Sequence, residues 1–432
     1  MIWNPKIECE GRGEIKDLQL KRLKETVERI YSNVPYYKKK LDEAGVTPDS
    51  IKSLDDLKRI PFTTKDDLRE NYPFGLFASP MKDIVRIHAS SGTTGKPTVV
   101  GYTKNDLDTW SEAIARLACA AGATEDDIAQ ISFGYGLFTG GFGLHYGLEK
   151  VGLAIIPAST GNTEKQIMLM KDFGTTLLVS TPSYALYMSE VAEKMGIDIK
   201  KDLKLKIGMF GSEGSTEEMR QEIEKRWGMT ATENYGLSEI MGPGVAGECT
   251  EKCGMHVSDD LFIVEIINPE TGEVLPEGEV GELVITNIKK EGIPLLRYRT
   301  KDITYLDNTP CKCGRTTPRI AKIQGRSDDM LKIKGVNVFP SQIESALLGT
   351  KGIAPYYQII VKKVGFVDDM EVLVELNDDS LLEKFSELEK LERTVKHKIK
   401  TVLGLDIKIK LVEPQTIERT AGKAKRVIDL RK

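Results

Sequence analysis

The stretch Ser90–Thr98 constrains this chain more than any other, because its composition suits a loop that holds several phosphate groups. Its hydroxyl side chains can donate hydrogen bonds to phosphate oxygens. Its glycines let the backbone curl so that successive N–H groups point at one anion, and its lysine adds a positive charge. The sequence therefore predicts a polyphosphate site formed by Ser90, Ser91, Gly92, Thr93, Thr94, Gly95 and Lys96.

This loop is not a Walker A loop. A Walker A loop needs a glycine where this chain has Ser90, and a serine or threonine where it has Pro97. It also runs from a strand into a helix, whereas the apolar runs 84–87 and 99–102 predict a strand on each side here. A solvated hairpin turn has the same local pattern, so the loop alone leaves that alternative open.

Further motifs resemble the acyl-CoA synthetases of the adenylate-forming superfamily, from about residue 80 to the C-terminus. They are YGLSE at 235–239, RYRTKD at 297–302, GRSDDMLKIKG at 325–335 and ERTAGKAKR at 418–426. Within that superfamily, GYGLFTGG at 134–141 and GVNVFP at 335–340 are similar to the phenylacetate–coenzyme A ligase family. The resemblance implies an enzyme that uses ATP to convert an aryl acid, first of all phenylacetate, to an acyl-adenylate. It then transfers the acyl group to coenzyme A and releases AMP and pyrophosphate.

Composition and charge limit the classes of partner. The chain has 432 residues, 40% of them hydrophobic and 29% charged, with a net charge of -4. These values are typical of a soluble globular protein and give no reason to expect nucleic acid or a membrane as partner. The N-terminus lacks a basic segment followed by an apolar run, so we expect a cytoplasmic protein. The sequence leaves a monomer and a homodimer open.

The alternation of apolar strands with amphipathic helices predicts the α/β class. We expect a large N-terminal domain, residues 1–325, with a β-rich subregion after Leu261, and a small mobile α+β domain, residues 326–432. Strands are predicted at 152–157, 177–180 and 205–210, and a helix followed by a polar loop at 15–45. Capping boxes at Thr103/Asp106 and Ser215/Glu218 predict the starts of two further helices.

The resemblance implies a role for several residues of the ATP site. Glu239 is expected on Mg²⁺, Tyr235 against the adenine face, Glu213 near the edge of the base, and Asp302 on the ribose hydroxyls. Lys423 is expected to bridge the attacking carboxylate and the α-phosphate. Further ATP-binding residues are Ser212, Asn234, Gly236 and Arg326.

Asp302 lies in a basic run, so a surface charge is the alternative interpretation of this residue. A carboxylate suits two neighbouring hydroxyls because it can accept a hydrogen bond from each. Lys301 stands where the family motif commonly has glycine, a departure that bears on the geometry of the turn.

The resemblance also implies a second half-reaction, in which the C-terminal domain rotates and the thiol of coenzyme A attacks the adenylate. A rotation of this kind needs a hinge of few residues that absorb the backbone change. Asp328 occupies the hinge position of the family motif, and Gly335 is expected close to the incoming pantetheine.

The segment 128–148 has no charged side chain and is long enough to cross a bilayer, but its many glycines make it a poor lipid-facing helix. Aromatic side chains alternate with those glycines, which predicts a pocket with flat walls and room left by missing side chains. Core packing is the competing explanation. We expect His145 to be a hydrogen-bonded core histidine. The candidate acid-binding residues are Tyr135, Phe138, Gly211 and Ser212.

Two cysteine clusters predict a structural zinc site, since thiolates and an imidazole are the ligands of tetrahedral Zn²⁺. Cys249, Cys253 and His256 form the first cluster, and Cys311 and Cys313 the second. Four ligands are needed from these five. The resemblance favours Cys249, His256, Cys311 and Cys313, with Cys253 as the alternate, and free cysteines remain open.

Two other functions are alternatives to the ligase. One is an adenylating enzyme that passes AMP or the acyl group to another acceptor, such as a flavin-like cofactor or a carrier protein. A ligase that acts on a different aryl acid, such as indoleacetate or benzoate, is a further alternative. The other is a zinc module that binds nucleic acid, which predicts a basic domain that this chain lacks.

Overall fold

The computed structural model describes residues 1–90, 97–333, 336–364, 367–381 and 384–431. Its N-terminal part is helical and ends in a β-hairpin. The predicted helix over 15–45 is two helices, because Pro35 cannot continue the first helix and instead begins the second. The elements are α1 (Pro5–Glu8), α2 (Arg12–Asn33), α3 (Pro35–Glu43), α4 (Lys65–Glu70), β1 (Arg86–Ala89) and β2 (Val99–Tyr102).

The centre of the molecule is a sheet with helices packed against it. Its elements are α5 (Lys104–Ala120), β3 (Ile128–Ile131), α6 (Thr139–Val151), β4 (Ala154–Ile156), α7 (Thr163–Phe173), β5 (Leu177–Ser180), α8 (Pro182–Lys194), α9 (Ile199–Asp202), β6 (Ile207–Phe210), α10 (Glu217–Trp227), β7 (Thr230–Leu237), β8 (Gly242–Glu248) and β9 (Met255–Val257). Strands β4, β3, β5, β6 and β7 are parallel, and β8 and β9 continue the sheet in antiparallel pairing. The predicted α/β class is therefore correct.

The predicted helix starts were right in one case and displaced in the other. Thr103 caps α5 as expected, since its hydroxyl accepts from the Asp106 amide at 3.1 Å and its own amide donates to the Asp106 carboxylate at 3.0 Å. The cap of α10 is Thr216, whose hydroxyl accepts from the Met219 amide at 3.2 Å. Ser215 was the wrong choice, because its hydroxyl donates to Glu233 instead.

The β-rich subregion forms as predicted after Leu261. Its strands are β10 (Phe262–Ile267), β11 (Gly281–Asn287), β12 (Tyr298–Thr304), β13 (Leu306–Asp307), β14 (Arg319–Ile320) and β15 (Gly325–Arg326). The order β10-β11-β12-β15 makes an antiparallel sheet, while β13 and β14 extend the central sheet beyond β9. One large core joins this subregion to the N-terminal helices and to part of the central sheet.

The C-terminal part is a small α+β unit with its own core. Its elements are β16 (Leu331–Ile333), β17 (Val336–Val338), α11 (Pro340–Leu347), β18 (Ile353–Val364), β19 (Val367–Leu376), α12 (Phe385–Leu403), β20 (Lys408–Val412) and β21 (Val427–Asp429). Strands β20, β19, β18 and β21 form one sheet, and α11 and α12 pack against its apolar side chains. A separate core supports two domains, and the boundary at 325/326 stays a prediction.

Within the described ranges, no helix combines the length and the apolar character needed to span a bilayer. The uncharged segment 128–148 instead folds as strand β3, a loop and helix α6, with many of its side chains in the core.

Candidate active site

The candidate site lies at the carboxyl ends of β5, β6 and β7, the edge at which open α/β sheets bind their ligands. The loop 211–215 follows β6, and residues 234–239 close β7 and the turn after it. The C-terminal loop 418–426 reaches the same edge, where the backbone of Gly422 and Ala424 contacts residues of the large domain. The structure therefore brings together motifs that lie far apart in sequence.

Glu213 joins the two domains. Its carboxylate accepts hydrogen bonds from the Ser183 amide at 2.8 Å, at the start of α8, and from the Ala424 amide at 3.0 Å. Ser212 before it has a φ of +73°, in the left-handed region, and so turns the loop sharply. The predicted contact of Glu213 with the edge of the base stays a prediction.

Two glycines of the site are required by close backbone approach. A Cβ at Gly211 would lie 2.6 Å from the Asn234 carbonyl oxygen, and one at Gly236 would lie 1.9 Å from the Gly242 carbonyl oxygen. The Asn234 side-chain amide donates to the Phe210 carbonyl at 2.8 Å, between β7 and the end of β6. These positions form one packed unit between β6 and β7.

Tyr235, Asp302 and Arg326 form a hydrogen-bonded cluster. The Tyr235 hydroxyl donates to one Asp302 oxygen at 2.5 Å, and Arg326 Nη1 lies 3.3 Å from the other. Burial raises the pKa of Asp302 to about 6, although the Arg326 charge and the Tyr235 hydrogen bond both lower it. Asp302 is 8% exposed, so it is not the solvated surface charge of the alternative interpretation.

Lys301 occupies a backbone position that favours glycine. Its φ is +68°, a conformation that costs an L-residue about 1–2 kcal/mol. The buried Glu282 compensates, because its carboxylate accepts from the Lys301 amide at 3.2 Å and lies 3.7 Å from Nζ. The turn is therefore built without the family's glycine.

Glu239 is buried next to two lysines that the sequence did not single out. Lys65 Nζ lies 3.7 Å from its carboxylate. Lys290 is buried, donates to the Ile240 carbonyl at 2.8 Å and lies over the Tyr102 ring. Burial lowers the pKa of Lys290 to about 8, against the charges of Asp106 and Glu239. The pair Lys289-Lys290 has the pattern of a solvated surface, so sequence alone carried no signal for it.

The strands predicted on either side of the phosphate loop form and pair antiparallel as β1 and β2, with β1 two residues later than expected. The Ser90 amide donates to the Thr98 carbonyl at 2.9 Å, and the Ser90 hydroxyl accepts from the Thr98 amide at 2.9 Å. The predicted positions Ser91, Gly92, Thr93, Thr94, Gly95 and Lys96 lie outside the described residues, as does Gly335.

Lys423 lies in a loop whose backbone is docked on the large domain. The hydroxyls of Thr181 and Ser183 donate to the Gly422 carbonyl at 3.2 and 3.3 Å. The Lys423 side chain is exposed, and its charge lowers the pKa of Asp329, which burial raises more strongly. The predicted hinge residue Asp328 accepts from Arg326 Nε at 2.8 Å and Nη2 at 2.9 Å.

The two predicted acid-binding aromatics lie just before helix α6 and pack against different rings, Tyr135 against Phe142 and Phe138 against Phe133. The Tyr135 hydroxyl lies 3.1 Å from His145 Nδ1, and its ring packs edge-on against Phe142 with centroids 5.2 Å apart. Phe138 is 39% exposed and is the last residue before helix α6. His145 was expected in the core and is instead half-buried, because its Nε2 reaches the exposed Glu149 at 3.1 Å.

Several glycines of this segment serve helix packing, so core packing, the competing explanation, accounts for them. A Cβ at Gly143 would lie 2.1 Å from the Trp110 ring, and one at Gly147 would lie 2.2 Å from the Ile114 side chain. Both partners belong to α5, so these glycines let α5 and α6 approach closely. Gly136, in contrast, has open space around its Cβ position.

A candidate metal centre lies apart from this edge. The ligand atoms of Cys249, His256, Cys311 and Cys313 all lie within 4.8 Å of one another. Cys249 Sγ is 3.7 Å from Cys311 Sγ, and Cys313 Sγ is 3.4 Å from His256 Nε2. Tetrahedral Zn²⁺ requires about 3.8 Å between two sulfurs and about 3.6 Å between sulfur and nitrogen, so the residues fit this ion.

The fifth candidate, Cys253, has a different environment. Its thiol is 3.4 Å from Cys311 Sγ, but it is exposed and accepts from Arg319 Nη1 at 2.7 Å. The His256 ring nitrogen opposite the cluster lies 2.9 Å from the Thr317 hydroxyl, which can fix the ring orientation as outer partners of metal sites do. This geometry favours the four residues chosen from the sequence.

Comparison with known proteins agrees with this fold. The family model of the AMP-binding enzymes matches residues 19–289, and that of the AMP-binding enzyme C-terminal domain matches residues 335–431. The molecule is an adenylate-forming enzyme.

The chain is 50% identical to the phenylacetate-coenzyme A ligase of Aromatoleum evansii over 98% of this chain and 96% of that protein. It is 48% identical to the same ligase of Escherichia coli over 100% of this chain and 99% of that protein. The chain belongs to the phenylacetate–coenzyme A ligase family.

Solved structures of a 2-hydroxyisobutyryl-CoA ligase, 29% identical in sequence, give the same fold. The structure of its postadenylation state with 2-HIB-AMP matches with a TM-score of 0.94 over 100% of this chain and 92% of that chain. The structure of the same ligase in its thioesterification state matches with a TM-score of 0.74 over the same shares. The present domain arrangement is therefore more similar to the postadenylation arrangement.

Proposed function

We propose that this protein converts phenylacetate, ATP and coenzyme A to phenylacetyl-coenzyme A, AMP and pyrophosphate. The observation that carries the proposal is the docking of the Lys423 loop on the edge that holds Tyr235 and Asp302. The proposal is supported because the Lys423 loop and the Asp302 carboxylate lie at one edge of the sheet, in a member of a family of phenylacetate ligases.

In the first step, a carboxylate oxygen of the acid attacks the α-phosphorus of ATP and pyrophosphate leaves. Negative charge builds on the phosphate oxygens, so fixed donors and cations accelerate the step. Lys423 is the cation assigned to the attacking carboxylate and the α-phosphate. The loop residues Ser90, Ser91, Thr93, Thr94 and Lys96 are assigned to the departing phosphates by sequence.

The nucleotide is held by the cluster at the ends of β6 and β7. Asp302 accepts from the ribose hydroxyls, since each of its oxygens keeps a free lone pair beside its present partner. Tyr235 forms a wall for the adenine ring, and Arg326 orients Asp302. The remaining assigned positions are Ser212, Glu213, Asn234 and Gly236.

Glu239 is the carboxylate that would hold Mg²⁺. Its fit rests on a buried oxygen donor next to the ammonium group of Lys65, which balances its charge when the ion is absent. A bound magnesium ion would neutralise charge on the phosphates.

In the second step, the C-terminal domain rotates about Asp328 and the coenzyme A sulfur attacks the acyl carbon. The carbon–sulfur bond forms, the bond to the AMP oxygen breaks, and the thiol proton is released. Gly335 is assigned to the approach of pantetheine by sequence. The proton and AMP leave separately.

The acid is assigned by sequence to Tyr135 and Phe138, with Gly211 and Ser212 at the carboxylate end. Flat aromatic walls favour a ring over a flexible chain. Burying an aromatic ring contributes about 2–3 kcal/mol, which corresponds to roughly a hundredfold preference over acetate.

Structural Zn²⁺ is proposed at Cys249, His256, Cys311 and Cys313. All four positions of a tetrahedral site are filled by protein atoms, so the ion would contribute folding free energy and not catalysis. A homodimer and a cytoplasmic location stay predictions from the sequence.

A screen of pyrophosphate release tests the proposed function. Phenylacetate, benzoate, indoleacetate, hexanoate and acetate are compared by kcat/KM, with and without coenzyme A. Phenylacetate is expected to give the highest value, with AMP release dependent on the thiol. A higher value for hexanoate or acetate would contradict the aryl assignment, and thiol-independent AMP release would contradict the transfer to coenzyme A.

A further inference from the structure

We propose that Glu190 is a positioning residue that holds the C-terminal domain in its present arrangement, with the Lys423 loop docked for adenylation, through its ion pair with Arg419. The inference rests on the proposed function, because it assigns Glu190 to the first half-reaction and not to the second. None of the sequence motifs contains Glu190, which lies near the end of helix α8.

Glu190 lies between two guanidinium groups that belong to different domains. One carboxylate oxygen is 3.7 Å from Arg419 Nε, in the C-terminal domain. The other is 3.8 Å from Arg226 Nη1, in helix α10 of the large domain. The Glu190 side chain is 20% exposed, so solvent screens these pairs only in part.

Arg419 is fixed firmly within its own domain. Its guanidinium donates to both oxygens of the buried Glu375, at 2.8 and 2.5 Å, and lies over the Tyr356 ring, 3.2 Å from the centroid. Arg419 also begins the loop that carries Lys423. An ion pair that keeps Arg419 close to α8 therefore also keeps the start of the Lys423 loop close to the large domain.

The arrangement suits a contact that must open in each turnover. When the C-terminal domain leaves, Glu190 keeps Arg226 and Arg419 keeps Glu375, so neither domain is left with an unpaired buried charge. Removing one partner of a buried pair is otherwise strongly unfavourable. The ion pair can thus stabilise docking without blocking the rotation.

The test compares Glu190→Gln with the matched control Glu193→Gln. Glu193 is exposed on the same helix, and its variant loses the same charge. We measure pyrophosphate release with phenylacetate, thioester formation from supplied phenylacetyl-adenylate, and amide hydrogen exchange of residues 420–426. In Glu190→Gln, pyrophosphate release is expected to fall about three- to tenfold, as for a modest coupling between sites.

Three further results are expected together. Thioester formation by Glu190→Gln is not reduced, exchange of residues 420–426 is faster because the Ala424 amide leaves Glu213 more often, and Glu193→Gln matches wild type. Glu190→Asp, which keeps the charge on a shorter side chain, recovers part of the pyrophosphate rate. Equal loss of both half-reactions, or unchanged exchange at 420–426, would overturn the assignment. If wild type released no pyrophosphate with any acid, the proposed function would fail, and the exchange measurement would still decide the role of Glu190.

Discussion

At the scale of single residues, Lys423 is placed through the backbone of its neighbours. The Gly422 carbonyl accepts from Thr181 and Ser183, and the Ala424 amide donates to Glu213. These contacts fix the path of the loop on both sides of the lysine. The Lys423 side chain itself is exposed, which leaves its ammonium group accessible for the role proposed for it.

Lys423→Ala is expected to lower adenylation by about 100- to 1,000-fold, the usual effect of removing one group that stabilises transition-state charge. Thioester formation from supplied acyl-adenylate should be spared, because the charge acts only on the first transition state. The two half-reactions are measured separately. Lys425→Ala, which removes an exposed lysine from the same loop, serves as the control and should keep both rates. Equal loss of both steps in Lys423→Ala would contradict the assignment.

Asp302 predicts an acidic limit for ATP use. Burial raises its pKa to about 6 in the nucleotide-free protein, so the carboxyl gains a proton as the pH falls through that value. A protonated carboxyl accepts fewer hydrogen bonds from the ribose, so kcat/KM for ATP should fall about tenfold per pH unit below pH 6 and level off above it. Asp302→Asn should be less active and lose this limb. A limb that persists in Asp302→Asn would assign it to another group.

The residues of the site differ in how well the sequence predicts them. Glu239, Asp302 and Lys423 stand in motifs with fixed spacing, so resemblance alone gave their assigned roles. Lys65 and Glu190 contact the site through the fold, across separations that no local pattern reports. Burial, which makes such a charge important, depends on tertiary packing and has no signature in a lysine or glutamate flanked by polar residues.

At the scale of secondary-structure elements, helices α5 and α6 pack closely against each other. Gly143 and Gly147 lie against Trp110 and Ile114, with no room for a further carbon. Helix interiors otherwise disfavour glycine by roughly 1 kcal/mol relative to alanine. The close approach of the two helices explains why glycine is kept.

Gly143→Ala is therefore expected to destabilise the protein by about 1–3 kcal/mol, because a carbon 2.1 Å from the Trp110 ring forces the helices apart. The free energy of unfolding is measured by denaturant titration. Gly136→Ala is the matched control in the same segment, where an added Cβ meets nothing within 4 Å. A stability gain in Gly143→Ala, as helix propensity alone would give, would show that the contact is looser than described.

The candidate metal centre lies where residues at β8 and β9 meet the turn at Cys311–Cys313, so a bound ion would link them. One zinc per chain is expected to copurify, and Cys311→Ser should lower both the zinc content and the melting temperature, since a structural ion contributes folding free energy. Cys253→Ser should keep the metal, because that thiol bonds Arg319 outside the set of four. Elemental analysis decides both points. If Cys253→Ser lost the metal and Cys311→Ser kept it, Cys253 would replace Cys311 as the fourth ligand. If wild type contained no metal, the proposed site would be wrong.

The elements themselves were largely readable from the sequence, with errors at their ends. Strand β5 was predicted at Leu177–Ser180 and forms there, because a short apolar run between polar turns is typical of a buried strand. The cap of α10 was missed by one residue, since Ser215 and Thr216 are equally good caps and Glu233 decides between them. That contact comes from another strand, so no local pattern contains it.

At the scale of the whole molecule, the interface between the two domains combines apolar and polar contacts. Leu348 of the C-terminal unit packs into a core of the large domain, while Glu213, Glu190 and hydroxyls of α8 make polar contacts between the domains. Polar contacts of this kind can be exchanged with water at low cost, as expected for domains that move relative to one another. The sequence predicted two domains but could not indicate which arrangement they adopt, because both arrangements use the same motifs.

The hinge assignment predicts that Asp328→Pro separates the two half-reactions in the opposite sense to Lys423→Ala. Proline fixes φ near −65°, so a pivot at this residue loses the rotation it needs. Acyl-adenylate should still form, because the present arrangement is more similar to the postadenylation state, whereas thioester production should fail. Asp328→Ala is the control, since it removes the same ion pair with Arg326 but leaves φ free, and it should lose less thioester production than the proline variant. Equal thioester rates in the two variants would mean that the carboxylate matters and the backbone does not, and the pivot would then lie elsewhere in the segment between the domains.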